Sequence, residues 1–212
     1  AGSEDTSPMA EATIQHQEYE RNWARIVSDV LSPPVVWTLL AFPLALAEET
    51  IGRGNAIASA TLYGFLVCWV PVMFIGWMVK RGHITDIHMK LRRQRILPFG
   101  VSITCSAGAV GLLWTLKAGT ILILFGVATL LGLIVMALIT IFWQISIHAM
   151  SITSAVVVAG MVFGMTVALW LFPLIPVVGA ARLKLKRHTM AQLVAGALVG
   201  ALVPVFVAVT MG

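Results

Sequence analysis

The sequence carries little charge for its length. Of its 212 residues, 11% are Asp, Glu, Lys or Arg, whereas a soluble globular domain carries about 25%. Hydrophobic residues make up 59%, and the mean hydropathy is +0.94. Because about 20 helical residues cross the apolar core of a bilayer, long uncharged stretches argue against a water-soluble fold and predict a multi-pass membrane protein. There are five such stretches: 30–47, 54–79, 96–116, 118–181 and 188–212.

Acidic side chains are absent from most of the chain. All nine Asp and Glu residues lie at or before Asp86. Membrane enzymes that bind Mg²⁺-diphosphate need several carboxylates, because hard cations prefer oxygen ligands. The five histidines are too few for a di-iron desaturase site. We therefore expect neither a metal nor another cofactor.

Cysteine is also scarce, and the basic residues are confined. Cys68 and Cys105 each lie inside an apolar stretch, which predicts small buried side chains rather than a disulfide or a zinc site. The Lys and Arg residues lie in short segments between apolar stretches and form no broad basic surface. This distribution argues against a nucleic-acid partner.

The chain divides into three parts. Residues 1–12 are polar and are expected to be a disordered tail. Residues 13–31 place apolar side chains, among them Tyr19 and Trp23, at helical spacing opposite charged ones, which predicts an amphipathic helix. This helix would lie at the membrane interface or, equally well, pack on the protein's own loops. Residues 32–212 are expected to form one transmembrane domain.

The predicted fold is all-α, a transmembrane bundle of six or seven spans. One interpretation of residues 149–181 is a hairpin of two short helices turning at Gly160 and Gly164, and the other is one long helix broken at Pro173 and Pro176. Glycines spaced four residues apart also predict close helix packing. The other spans are expected to begin near residue 35 and to cover about 56–79, 98–116, 119–142 and 189–211.

Basic residues are distributed unevenly along the chain. Of the 14 Lys and Arg residues, all but Arg53 and Lys117 lie in the amino-terminal segment and in the loops at 80–95 and 182–187. If residues 149–181 form a hairpin, these basic segments all lie on one side of the membrane, which the positive-inside rule makes the cytoplasmic side. The expected location is the cell membrane.

Polar residues with phosphate-binding chemistry cluster at three places: 83–98, 146–148 and 182–192. Arginine guanidinium groups bind phosphate oxygens through paired hydrogen bonds, and a helix amino-terminus adds backbone N–H groups. Two histidines, His148 and His188, supply a nucleophile and a proton donor without a metal. The pattern indicates an anion site.

The last of these clusters resembles motif three of the type 2 phosphatidic acid phosphatase superfamily, SRxxxxxHxxxD. Arg182, five further residues and then His188 reproduce its spacing, and the small residues at 195–200 resemble the helix that follows it. Ser146-Ile147-His148 resembles motif two, SGH. Lys90, six residues, then Leu97-Pro98 partly resembles motif one, KxxxxxxRP.

The resemblance implies a lipid-phosphate phosphatase that acts through a phosphohistidine. His188 would be the nucleophile, His148 would protonate the leaving alcohol, and Gln192 would accept the Nδ1–H bond of His188. The remaining site residues would bind the phosphoryl oxygens: Arg182, Ser146, Lys90, Arg95 and Arg92.

The chain departs from the family pattern in several places. Gln192 stands where the motif has Asp, Leu97 where it has Arg, and Ala181 where it has Ser. Two predicted spans also separate motifs one and two, where usual family members have a loop. A glutamine carbonyl can fix the histidine tautomer but cannot stabilise the imidazolium.

Three functions therefore compete. The first is a metal-independent phosphatase acting on phosphatidate or on a polyprenyl mono- or diphosphate. The second is a catalytically weak or inactive lipid-phosphate binder of the same fold, and the third is a subunit of a membrane complex. The expected partners are membrane lipids and the lipid-phosphate substrate, and the sequence leaves the oligomeric state open, a homo-oligomer included.

Overall fold

The computed structural model describes residues 22–83 and 96–212, and all regular structure within them is helical. The predicted tail, the first part of the predicted amphipathic helix and residues 84–95 lie outside this described part. The helices in chain order are α1 (Asn22–Val30), α2 (Pro33–Leu46), α3 (Arg53–Tyr63), a π-helical segment (Gly64–Trp69), α4 (Val70–Lys80), α5 (Ile96–Thr115), α6 (Thr120–Phe142), α7 (Ile147–Phe163), α8 (Met165–Leu171), α9 (Leu174–Lys184) and α10 (Met190–Met211).

The described chain is a multi-pass helical membrane protein by length and composition. Five of its helical segments are long and apolar enough to cross a bilayer, and a sixth is obtained if the bent pair α1–α2 is one span. The larger count of six or seven spans stays a prediction. The five segments are Arg53–Lys80, Ile96–Thr115, Thr120–Phe142, Met165–Lys184 and Met190–Met211.

The first predicted span, which begins near residue 35, corresponds to the short helix α2, and α1 precedes it at an angle. α2 has 14 residues, which at about 1.5 Å per residue gives about 21 Å, less than the apolar core of a bilayer of about 30 Å. α1 and α2 meet at an angle of 42°. The break falls where Pro33 and Pro34 begin α2, because proline has no N–H with which to continue the hydrogen-bond pattern of a preceding helix.

α7 lies in the interior of the bundle, against α10, α2, α8 and α9. Most of its 17 residues are buried, many of them small. Small residues let neighbouring helices approach closely inside a membrane. α7 is therefore the element around which the carboxyl-terminal half of the protein is packed.

Residues 149–181 contain a turn at Gly164. Gly164 adopts φ +96°, a conformation that favours glycine, and separates α7 from α8. A β-carbon placed at Gly160 would lie 2.8 Å from the β-carbon of Ala168, so α8 packs back on the end of α7. Of the two alternatives, the structure thus has the hairpin, while Pro173 only separates α8 from α9.

α10 lies against the backbone of α7 through glycine. A β-carbon at Gly196 would collide with the carbonyl oxygen of Ser146, and one at Gly200 with the carbonyl oxygen of Met150. The prediction of close packing is confirmed for these two glycines and for Gly160, whereas Gly164 serves the turn. This packing places the first turn of α10 directly beside the first turn of α7.

The amino-terminal half contains buried polar groups of its own. The hydroxyls of Tyr63 and Thr129 are 2.8 Å apart and hydrogen-bonded inside the bundle. Cys68, in the π-helical segment, is buried as predicted, whereas Cys105 is only half-buried, and both thiols are free. The hydrogen bond between Tyr63 and Thr129 links α3 to α6 in the interior of the bundle.

Candidate anion site at the start of α7 and α10

A tight turn joins α9 to α10 and brings their ends together. The N–H of Arg187 donates to the carbonyl of Arg182 over 3.1 Å, and that of Lys186 donates to the carbonyl of Leu183 over 2.9 Å. Lys186, one of these two donors, adopts a left-handed backbone conformation with φ +51°. This is the Schellman arrangement that ends a helix and reverses the chain, and it explains why Arg182 and His188 lie near each other.

α10 begins with a capping box that also contacts His188. The N–H of Gln192 donates to Thr189 Oγ1 over 3.4 Å, and the N–H of Thr189 donates to Gln192 Oε1 over 3.0 Å. The same Oε1 lies 3.3 Å from His188 Nδ1. Because it accepts from a backbone N–H, this atom is the carbonyl oxygen of the amide, so Nδ1 of His188 must be the donor.

The contact with Gln192 fixes the tautomer of His188. In a neutral imidazole, one nitrogen carries the proton and the other keeps its lone pair. With the proton on Nδ1, the lone pair is on Nε2. Gln192 thus makes the hydrogen bond that the resemblance implies, and in a neutral ring this bond leaves Nε2 of His188 in the form that a nucleophile requires.

Ser146 connects the start of α7 to α10. Its N–H donates to the backbone carbonyl of Gln192 over 3.1 Å. Its hydroxyl accepts from the N–H of Ala149 over 3.4 Å and caps α7. The side chain is fully buried. Ser146 therefore holds the amino-terminus of α7 beside the capping box of α10.

Ser28 of α1 contacts two of the predicted site residues. Arg182 Nη1 donates to Ser28 Oγ over 2.8 Å, and His148 Nε2 lies 3.2 Å from the backbone carbonyl oxygen of Ser28. Since a carbonyl only accepts, Nε2 of His148 carries a proton. The last turn of α9 and the first turn of α7 therefore meet at one residue of α1.

Sequence reasoning missed Ser28 because it followed the apolar face of the amino-terminal helix. In the structure, Ile26 and Val30 are exposed, whereas Ala24 and Ser28 are buried. The signal was present as two small residues four positions apart, the spacing that lets helices pack closely. The described part of this helix contacts the protein through Ala24 and Ser28, while its position relative to the membrane interface stays a prediction.

Three ionisable side chains are buried at this end of the bundle. The exposed fractions are 3% for Arg182, 9% for His148 and 8% for His188. Withdrawing such groups from water is costly, so an ionisable residue inside a membrane protein is by default a functional hypothesis. Lys184 and Lys186 are exposed on the adjoining turn and add positive charge where an anion would approach.

The structure brings together five of the eight predicted site residues: Ser146, His148, Arg182, His188 and Gln192. Lys90, Arg92 and Arg95 lie outside the described residues. Leu97 and Pro98 fall in the first turn of α5. Within the described residues, the observed contacts therefore involve the residues that resemble motifs two and three, and not those that resemble motif one.

The donors at this site suit an anion. Within residues 22–83 and 96–212, no three His, Cys, Asp or Glu side chains are grouped so that they could hold a metal ion. The site instead offers a guanidinium, an imidazole N–H and an imidazole lone pair. The guanidinium of Arg182 could bind a phosphate ester, the N–H of His148 could protonate its leaving oxygen, and the lone pair of His188 could attack its phosphorus.

No family model matches the chain, and no significant match is found to a curated protein or to a solved structure. The motifs and the geometry of this site are therefore the observations that bear on the function of the protein.

Proposed function

We propose that the protein is a membrane phosphatase that hydrolyses lipid phosphates through a phosphohistidine and needs no metal. The observation that carries the proposal is the meeting of buried His148, Arg182 and His188 at one end of the bundle, with the lone pair of His188 on Nε2. The similarity to motifs two and three of the type 2 phosphatidic acid phosphatases supports the same assignment.

In the first step, His188 Nε2 attacks the phosphorus of the ester. A nitrogen–phosphorus bond forms while the bond from phosphorus to the lipid oxygen breaks, and that oxygen takes the Nε2 proton of the His148 imidazolium, which becomes a neutral imidazole. Arg182 binds the phosphoryl oxygens, on which negative charge is concentrated. Positioning and charge stabilisation of this kind dominate phosphoryl transfer.

In the second step, water replaces the histidine. His148, now neutral at Nε2, accepts a proton from the attacking water, and the nitrogen–phosphorus bond breaks to release inorganic phosphate. His188 recovers its lone pair and His148 its proton. The sum is hydrolysis of one ester bond by one water molecule.

A lipid-phosphate binding protein of the same fold is the second candidate, and Gln192 is the observation that favours it. The ring of His188 becomes cationic when Nε2 is phosphorylated, and Gln192 Oε1 offers it a dipole rather than a negative charge. A carboxylate at this place would stabilise that cation more strongly. A lipid-phosphate binding protein would need Arg182 to hold the phosphate but would not need His188 as a nucleophile.

The proposal includes a location for the site. Lys184, Lys186 and Arg187 adjoin it, and a basic loop of this kind faces the cytoplasm under the positive-inside rule. The substrate headgroup would then be taken from the cytoplasmic leaflet of the cell membrane. Basic residues kept for phosphate binding would produce the same charge distribution, so sidedness is proposed separately from the chemistry.

The test is release of inorganic phosphate by the full chain in detergent with EDTA present. Phosphatidate, phosphatidylglycerophosphate and polyprenyl mono- and diphosphates would be offered to the wild type and to His188→Ala. We expect turnover of at least one of them, unaffected by EDTA and lowered by about 10³-fold or more in His188→Ala, as for loss of a catalytic nucleophile. Binding of these lipids without turnover would reject the phosphatase and leave the binder.

A further inference from the structure

α1 covers the candidate site through a single buried serine. Ser28 is 1% exposed, and Ala24, one turn earlier, is fully buried. The flanking Ile26 and Val30 are exposed. The most buried face of α1 therefore consists of small residues, with Trp23 and Val27 half-buried beside it, and Ser28 on this face contacts Arg182 and His148.

The two oxygens of Ser28 occupy the donors that a phosphate ester would use. Arg182 Nη1 donates to the hydroxyl oxygen over 2.8 Å, and the Nε2–H group of His148 donates to the carbonyl oxygen over 3.2 Å. A phosphate ester presents the same two acceptors, a phosphoryl oxygen for the guanidinium and a bridging oxygen for the acid. The single Nε2–H group of His148 cannot donate to Ser28 and to a headgroup at the same time, and a phosphoryl oxygen that accepts from Arg182 Nη1 must take the place of the Ser28 hydroxyl.

We propose that α1 is a movable cover that competes with the lipid headgroup for Arg182 and His148, so that a phosphate binds only as Ser28 leaves. The inference rests on the proposed function only for the nature of the ligand, a lipid phosphate. It also accounts for access to the site, since α1 lies on Arg182 and His148, which are both buried.

The junction between α1 and α2 suits such a movement. α1 ends where the N–H of Leu31 donates to Val27 and that of Ser32 donates to Asp29. The next two residues are prolines, so no backbone N–H continues the helical hydrogen bonds across the 42° bend. A change of angle here breaks few hydrogen bonds, as expected of a hinge at the end of a helix.

The competition is measured by calorimetric titration of the full chain in detergent with a phosphonate analogue of dioctanoyl phosphatidate. Its carbon–phosphorus bond is not hydrolysed, so binding is read whether or not the protein has turnover. Ser28→Ala removes one competing acceptor, and we expect its Kd to be about tenfold lower than that of the wild type, the effect of one hydrogen bond to a charged group.

Ser32→Ala is the matched control, because Ser32 lies at the same junction and its hydroxyl makes no cap to α2; its Kd is expected to equal that of the wild type. An equal or higher Kd for Ser28→Ala would overturn the proposal, and a higher one would identify Ser28 as a residue that positions Arg182. Absence of binding in wild type and Ser28→Ala alike would overturn the cover and the lipid-phosphate site together. Binding without turnover would count against the phosphatase alone.

Hydrogen–deuterium exchange provides a second measurement on the unmodified protein. If α1 leaves when the headgroup binds, amides in the peptide spanning residues 22–32 exchange faster with the phosphonate lipid than without it. Dioctanoylglycerol, which lacks the phosphonate, is expected to have no such effect. Slower exchange in this peptide on binding would mean that α1 closes over the headgroup, which contradicts the proposal.

Discussion

His148→Ala is expected to release a burst of nitrophenolate from p-nitrophenyl phosphate, about one per site, followed by almost no turnover. Nitrophenolate is a good leaving group and needs no proton, so attack by His188 proceeds without the acid. Hydrolysis of the phosphohistidine then lacks its base. With a lipid phosphate, the leaving alkoxide needs the proton of His148 Nε2, and we expect no burst, with turnover about 10²- to 10⁴-fold below wild type.

The exposed His83 at the end of α4 provides the control. His83→Ala also removes an imidazole and should turn over both substrates at the wild-type rate. Stopped-flow absorbance measures the nitrophenolate burst, and a phosphate-binding probe measures turnover of the lipid. If His148→Ala slowed the first release of both leaving groups equally, His148 would not be the acid.

The Gln192→Glu substitution is expected to raise phosphatase turnover about tenfold or more. Glutamate has the shape of glutamine, so its carboxylate keeps the contacts with Thr189 N and His188 Nδ1, which are 3.0 Å and 3.3 Å in the wild type. It also suits the first turn of a helix and the capping box. The added negative charge stabilises the cationic ring that forms as His188 is phosphorylated.

The size of this effect follows from charge attraction. At an effective dielectric constant of about 20, opposite charges about 4 Å apart attract by about 4 kcal/mol, part of which is offset by desolvation of the carboxylate. About 1.4 kcal/mol corresponds to a tenfold change in rate. Steady-state phosphate release measures it, and Gln192→Ala, which removes the hydrogen bond to His188, is expected to be slower than wild type. A Gln192→Glu variant no faster than wild type would mean that charge on this ring does not limit the reaction.

The sequence predicts most of the helices of the bundle because a membrane restricts which backbone structures can cross it. Uncharged stretches of sufficient length must be helical, and the turns at Lys117 and at 185–189 interrupt them with charge. The sequence predicts that the amino-terminal helix ends at Pro33 and Pro34, where the structure has the break between α1 and α2, but it does not predict the 42° angle between them. A proline pair ends a helix, but the angle of the next helix depends on the packing of both.

The site residues that the sequence predicts are those with suitable side-chain chemistry that also lie close together along the chain. Arg182, His188 and Gln192 lie within three helical turns of one another in sequence, so a turn between two helices suffices to gather them. Ser28 belongs to the other end of the chain, and its contact with Arg182 depends on tertiary packing that no local pattern encodes. A buried serine carries little signal in a sequence, because serine is common in helices, caps and loops alike.

The central claim is that His188 forms a covalent bond to phosphorus, and the most direct test is to trap that bond. Wild type and His148→Ala would be mixed with phosphatidate or p-nitrophenyl phosphate carrying radioactive phosphorus, quenched in alkali within milliseconds to seconds, and digested. We predict label that survives alkali, is lost in acid as expected of a phosphoramidate, and lies on the peptide containing His188, with more of it in His148→Ala on the nitrophenyl ester. Phosphate release by wild type with no label on His188 in either protein, or with the label on another residue, would contradict the account.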